Sequence, residues 1–436
     1  MTDARQEIEK CIGCGNCLLY CPVYAQERRE ECVARGRNRL LRGSADNVPE
    51  LLARVRDAFD KCLVCGTCTT VCPQGVRNDK IITAAREELV RLNGLPTGKS
   101  LVFHHLLSSR KTMSAVLRAA GRLQWLLPEA AGSPDRSVAL PERVAGRAGT
   151  IRHIPLFLKG LGGGRSLPPL AGVFLSEMLP VINPPLRRIA NRKLRVAYFS
   201  GCSTEFNLPN VGVSLVRVLN QMGVEVVFPR EQGCCGLAVY LNGDVETARK
   251  LAAHNLQVLS ATGADLVVTG CATCGSALKE GWQGLARDDM ERAAFRSFAG
   301  RVKDVSELLV DLAEFKPLPY RSILPAGCRV TYHDPCHLAR HQGVAEQPRA
   351  VLRHVFKDRF VEMDDNGCCG CGGSFNLTHY ELSKSMAKNK MESIARTNAD
   401  VVINTCPGCM IQLVDNMERN GLPQKVLHLV EVIEAE

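Results

Sequence analysis

Most of the chain's 21 cysteines fall into four groups spaced for metal ligation. Cys11, Cys14, Cys17 and Cys21 stand in CIGCGNCLLYCP, and Cys62, Cys65, Cys68 and Cys72 stand in CLVCGTCTTVCP. Both runs read C-x2-C-x2-C-x3-C-P. That spacing lets three thiolates of one loop cover a face of a [4Fe-4S] cube, and the proline breaks local pairing after the fourth. In two-cluster ferredoxins the fourth cysteine of each run serves the other cluster. By that rule Cys11, Cys14, Cys17 and Cys72 hold one cube, and Cys62, Cys65, Cys68 and Cys21 hold the second. Structural zinc, the competing chemistry, calls for separated C-x2-C pairs in tetrahedral sets.

The other two groups repeat each other. Cys202, the pair Cys234-Cys235 before Gly236, Cys271 and Cys274 read C-x31-C-C-x35-C-x2-C. Cys336, the pair Cys368-Cys369 before Gly370, Cys406 and Cys409 read C-x31-C-C-x36-C-x2-C. Two sets of five with near-identical intervals are an internal repeat. Read from the residues alone, each set could bind a cluster, bind zinc through four thiolates, or act as a dithiol through its C-x2-C. Cys32, Cys328 and Cys371 have no counterpart at useful spacing and read as spectators. His333 and His337 flank Cys336 in YHDPCHL. They read as hydrogen-bonded structural histidines, with cluster-adjacent proton donation as the alternative.

The elements that must position these thiols also repeat. LRVAYFSGC and CRVTYHDPC run a β-type stretch into the first cysteine, VEVVFPREQGCC and RFVEMDDNGCC into the pair, and ADLVVTGCATC and ADVVINTCPGC into the last two. Helix-forming stretches such as DVETARKLAAHNLQVLSATG and ELSKSMAKNKMESIART lie between them. Strand and helix alternate, so each half is expected to be a small parallel α/β unit. Each cysteine group then sits at the carboxyl end of a strand, where open α/β sheets bind ligands. The stretch between Cys21 and Cys62 is helix-forming and longer than a β-rich ferredoxin needs. A helical ferredoxin is expected there.

Composition sets the limits. The chain has 436 residues and a formal net charge of +10. Residues 99–194 carry 15 Lys/Arg against 4 Asp/Glu, with low-complexity pieces such as GLGGGRS, and read as a basic connector with helices. Its stretch 101–128 reads as a neighbouring helix or a docking surface for a partner. Aromatics are 5% and no nucleic-acid fold signature occurs, so no nucleic-acid partner is expected. The opening MTDARQEIEK lacks a signal peptide's apolar core, and no apolar run is long enough to span a bilayer. The expectation is a reducing cytoplasm, with any membrane association made through partners. GLGGGRS does not sit between a strand and a helix, so no flavin or nicotinamide fingerprint is present.

The whole pattern resembles the glycolate oxidase and lactate dehydrogenase iron–sulfur subunits, which have two ferredoxin motifs followed by two cysteine-rich "CCG" domains. It is also similar to the B and D subunits of heterodisulfide reductase. The resemblance implies α/β architecture: an N-terminal α-helical ferredoxin domain, then a tandem repeat of small parallel α/β cysteine-rich modules. The boundaries are 1–95 for the ferredoxin, 96–194 for the basic connector, 195–317 for the first CCG module and 318–436 for the second. It further implies two cubane [4Fe-4S] clusters and two more, cubane or noncubane, held by Cys202, Cys234, Cys235, Cys271 and Cys274 and by Cys336, Cys368, Cys369, Cys406 and Cys409. Five thiolates on four irons require one to bridge, and a doubled cysteine supplies a bridging and a terminal ligand side by side. The implied function is an electron-transfer subunit of a 2-hydroxy-acid oxidoreductase. Electrons would come from an FAD-containing dehydrogenase partner and leave toward a quinone-linked, membrane-side or other acceptor. The alternative is a catalytic subunit that reduces a disulfide at a noncubane cluster.

Overall fold

The structure is a computed structural model that describes residues 2–43, 48–126, 152–153, 166–167, 170–187, 194–312 and 319–435. The glycine run 160–165 lies outside the described residues.

Among the described residues the first 93 are helical or irregular, without a strand. Short helices, Thr2–Glu9, Asn16–Tyr20, Pro22–Glu27 and Ala34–Gly43, surround the first cysteine run. Thr67–Thr70 and the long Asn78–Asn93 follow the second. Ile8, Val23, Leu41, Leu52, Phe59, Ile81, Ala85 and Leu89 form their core, and Phe375 and Met386 of the last third complete it. The unit therefore leans on the second module. Cys32 is fully buried within this core.

The connector enters through Thr97–Leu101, Val102–Leu107 and Arg110–Leu123. A two-stranded ribbon pairs β1 (Arg152–His153) with β2 (Ser166–Leu167). Then β3 (Ile182–Asn183) joins the edge of the first module's sheet, antiparallel to its neighbour.

The first module carries β4 (Arg195–Tyr198), β5 (Glu225–Val227), β6 (Leu266–Thr269) and β7 (Val302–Asp304) in the order β3-β5-β4-β6-β7, parallel apart from β3. After β8 (Tyr320–Ser322), the second carries β9 (Val330–Tyr332), β10 (Phe360–Val361), β11 (Val401–Asn404) and β12 (Lys425–His428) in the order β10-β9-β11-β12, all parallel. β13 (Ile433–Ala435) pairs antiparallel with β8. Both sheets thus place the second strand outside the first and the third inside. In each, the connections from the adjacent first and third strands run to opposite sides, the topology that opens a crevice between their carboxyl ends. The central strands are short β-branched runs, buried along VAY, VVT, VTY and VVIN, as helix-covered parallel sheets require.

The two modules share one core. His428 Nε2–H donates to Gly270 O at 2.8 Å and Ala272 N–H to Thr405 O at 3.2 Å, both across the module boundary.

At the end of β7, Asp304 is fully buried. Its Oδ1 accepts from Ser306 N–H at 2.8 Å, while Oδ2 has no hydrogen-bond partner among the described residues. Burial pushes its carboxyl up to about 7. The folded chain keeps this proton to about pH 7, whereas the unfolded chain loses it near pH ~4. Between those values unfolding releases a proton, so stability falls as pH rises, by at most about 1.4 kcal/mol per pH unit. Asp304→Asn keeps an acceptor without the proton. Urea midpoints at pH 5.5, 6.5 and 7.5 are expected to vary less in the variant than in the wild type; equal slopes would refute the assignment.

Candidate metal centre

The first cysteine run makes a surface loop. Cys14 is exposed, and Ile12, Leu19 and Tyr20 beside it are 65%, 80% and 57% exposed. Its thiols turn inward to a small cavity lined by Cys11, Cys14, Cys17, Cys68 and Cys72. A second small cavity is lined by Cys21, Cys62, Cys65 and Cys68. The structure thus brings together the two foursomes expected from spacing, with Cys68 on the wall of both. Val64 N–H donates to Cys62 Sγ at 3.4 Å, which aims a backbone donor at a sulfur of the second run.

In both modules the strand ends deliver the five thiols. Cys202 lies in the first turn after β4, and Cys336 opens the helix after β9. Cys271 and Cys406 cap the helices Ala272–Lys279 and Pro407–Arg419, whose first turns hold Cys274 and Cys409. The doubled cysteines follow β5 and β10 and end at Gly236 and Gly370, with φ of 81° and 85°. A Cβ at Gly370 would stand 2.6 Å from Ser383 O. Only glycine turns the chain there so that both thiols of the pair face one way. Gly236 N–H donates to Cys234 Sγ and Gly370 N–H to Cys368 Sγ, each at 3.4 Å.

All ten thiols line one buried cavity of about 200 Å³. Sulfur meets sulfur from Cys202 through Cys234, Cys235, Cys274 and Cys271 to Cys406, and on through Cys409, Cys369 and Cys368 to Cys336. Cys271 and Cys406 join the two sets across the module boundary. Burial also draws in the ferredoxin. Cys65 is pushed up to about 12, by desolvation first and then by the Cys368 thiol beside it. Cys62 reaches the ten-thiol cavity directly.

This donor set suits iron–sulfur clusters: grouped thiols, backbone N–H groups aimed at sulfur, and apolar walls. Nothing in it suits a hard cation, which takes oxygen ligands.

Several neighbours escape a reading based on spacing. Arg340 lies four residues after Cys336. Burial opposes its charge, but the Cys65, Cys368 and Cys336 thiols outweigh this and its pKa rises. The i, i+4 interval was the available signal. Cys371, read as a spectator, stands on the cavity wall, its S–H donating to Gly408 O at 3.5 Å. Cys328 lies in the core outside that wall. His337 Nδ1 meets Thr273 Oγ1 at 3.5 Å, in keeping with a structural role. His333 departs from that expectation: neither ring nitrogen has a hydrogen-bond partner among the described residues.

A larger cleft of about 1110 Å³ lies between Asn78–Asn93 and the first module. Its wall carries Lys80, Arg292 and Arg296, and its floor carries Val64, Leu237, Leu241 and His337, which also line the ten-thiol cavity.

The cysteine-rich domain (CCG) family matches residues 196–279 and again 330–414. A 4Fe-4S dicluster domain matches residues 7–76. The chain is 29% identical over 439 residues to a "Probable glycolate oxidase iron-sulfur subunit" of Bacillus subtilis, covering 98% of this chain and 93% of that protein. It is 28% identical over 451 residues to the D subunit of the dihydromethanophenazine:CoB–CoM heterodisulfide reductase of Methanosarcina barkeri, covering 98% and 93%. It is 30% identical over 241 residues to lactate utilization protein A of a Geobacillus species, covering 55% of this chain and 99% of that protein.

Proposed function

The chain belongs to the family of iron–sulfur proteins that join a 4Fe-4S dicluster domain to two cysteine-rich CCG domains, and from that premise we propose that it conducts electrons between a flavoprotein and the paired CCG modules of an oxidoreductase complex. The observation that carries this is the unbroken succession of thiol sets. The cavity at Cys14 shares Cys68 with the second set, and Cys336 and Cys368 of the second module pack against the ferredoxin core that contains Cys65. Bound at these thiolates, iron–sulfur clusters supply one-electron carriers. The foursomes Cys11, Cys14, Cys17, Cys72 and Cys62, Cys65, Cys68, Cys21 would hold two cubanes, and each CCG set one further cluster.

A hydroxy acid gives up its electrons as a hydride, which a flavin accepts, and this chain has no flavin fingerprint. An FAD-bearing partner that oxidises glycolate, lactate or a similar 2-hydroxy acid fits the likeness to the glycolate oxidase and lactate utilization proteins. Ile12, Leu19 and Tyr20 offer that partner an apolar surface beside the outermost thiols. Among the described residues no helix is long and apolar enough to cross a membrane, so a quinone-side acceptor would be reached through another subunit. Affinity capture of the native protein from its host is expected to bring down a flavoprotein. A chain that purifies alone and oxidises the hydroxy acid with a dye at full rate would sink this reading.

A second reading has its own observation. All ten CCG thiols line one cavity, and Val64, Leu237, Leu241 and His337 line both it and the large cleft. That arrangement suits a sulfur substrate reduced between the two sets, in line with the likeness to the heterodisulfide reductase D subunit. Reduced viologen is then expected to be consumed on adding a disulfide. No turnover across a panel of disulfides, with iron fully loaded, would reject it.

A further inference from the structure

His333 leaves β9 directly after Tyr332 and stands three residues before Cys336. Its side chain is 1% exposed. Neither Nδ1 nor Nε2 has a hydrogen-bond partner among the described residues. A ring nitrogen lies with the Cys369 and Cys409 thiols so that all three ligand atoms fall within 4.8 Å of one another. Leaving a buried polar nitrogen unpaired costs about 1–3 kcal/mol. Such a cost persists where something else engages the group.

The repeat supplies an internal control. Tyr198-Phe199-Ser200-Gly201-Cys202 and Tyr332-His333-Asp334-Pro335-Cys336 occupy the same place after the first strand of each module. The backbone confirms the register: Phe199 N–H donates to Val268 O at 2.9 Å, and His333 N–H donates to Ile403 O at 3.0 Å. Both acceptors lie in the third strand of their module. One module therefore puts a buried phenyl ring where the other puts a buried imidazole. A purely structural position would be served by either ring. Only the imidazole brings a nitrogen lone pair, and the second module aims it at two of its thiols.

We propose that His333 is a nitrogen ligand of the iron–sulfur group of the second module, which makes that site a mixed sulfur–nitrogen one while the first module's site is all sulfur. The proposal rests on the reading that the second module holds such a group. Imidazole ligation in place of thiolate raises the reduction potential of iron–sulfur centres. The two otherwise matching sites are thereby made unequal, with the second the better electron acceptor. The second is also the site whose Cys336 and Cys368 pack against the ferredoxin core that contains Cys65.

The test uses the full-length chain, purified without oxygen, reduced, and grown with 15N-histidine against 14N-histidine. Pulsed EPR is expected to show a nitrogen coupling of iron-ligand size that changes with the isotope. His333→Phe, which installs the first module's residue, is expected to abolish that coupling and lower the potential of one centre. His337→Asn is expected to leave the coupling in place. No isotope-sensitive coupling in iron-loaded protein overturns the proposal, as does a weak coupling typical of an N–H bonded to sulfur or a coupling that survives His333→Phe. The isotope contrast in the wild type and in His337→Asn decides the question even where His333→Phe does not fold. If the chain carries iron for only the two ferredoxin sites, about 8 atoms, the functional reading fails and takes this proposal with it. Full iron loading without nitrogen coupling sinks the ligand alone.

Discussion

Replacing Cys235 and Cys369 together with serine is expected to lower the iron of the anaerobically purified chain from about 16 atoms to about 8. Four [4Fe-4S] groups account for the first number, and the two ferredoxin sites for the second. These two thiols are the middle links of their sets. Cys235 meets Cys234 and Cys274, and Cys369 meets Cys368 and Cys409. Both are buried. Serine keeps the volume nearly unchanged but replaces a soft thiolate by a hydroxyl that remains protonated, so the fold survives while the donor is lost. The ferredoxin thiols line two small cavities apart from the ten-thiol one, which only Cys62 among them also reaches, and should keep their iron. Iron and acid-labile sulfide per chain, with absorbance near 400 nm, provide the measurement. A wild type with about 8 irons would mean that the CCG sets hold no cluster. A double variant with undiminished iron would mean that the doubled cysteines are not ligands.

Removing Arg86 should do as much damage without touching a thiol. Arg86 is 8% exposed, and burial depresses its pKa. It donates to Phe59 O at 2.9 Å, Asp60 O at 3.0 Å, Cys62 O at 2.7 Å and Leu241 O at 2.8 Å. Three of these carbonyls lead into the second cysteine run, and the fourth belongs to the first CCG module. One planar fork thus ties the ferredoxin to that module and shapes the turn at Cys62. Arg86→Ala strands four carbonyls that water reaches poorly, at a cost of about 3 kcal/mol or more. Arg86→Lys keeps the charge but offers a single nitrogen in place of the fork and is expected to recover only part of the loss. Urea-induced bleaching of cluster absorbance reads both effects. A midpoint for Arg86→Ala within error of the wild type would show that the fork does not hold the turn.

The thiol groups could be read so early because ligand spacing is local. A C-x2-C-x2-C-x3-C-P run states its chemistry within a few turns of chain. The CCG intervals repeat because two copies of one α/β unit repeat, and short β-branched stretches such as RVAYF and RVTYH mark their strands. What the pattern could not carry is what long-range packing decides. Nothing in the residues around Cys271 or Cys406 tells that their sulfurs meet. Nothing near Arg86 names Leu241 as a partner. Ile182–Asn183 sits among prolines in what reads as connector, yet completes a sheet edge. His333 looked like an ordinary hydrogen-bonded histidine, since whether a nitrogen finds a partner depends on side chains far along the sequence, among them Cys369 and Cys409.

The contact between Cys271 and Cys406 also bears on how the protein is made. During synthesis the first module's five thiols leave the ribosome well before Cys406 does, so its set is chemically complete while its roof is missing. Once the last α/β unit docks and His428 reaches Gly270, ten sulfurs line one cavity. Iron and sulfide delivery to the first set is therefore least hindered before the final stretch of chain arrives. A nascent protein that folds faster than its assembly machinery can act would trap a bare chamber, where close-packed thiols are primed to oxidise to disulfides.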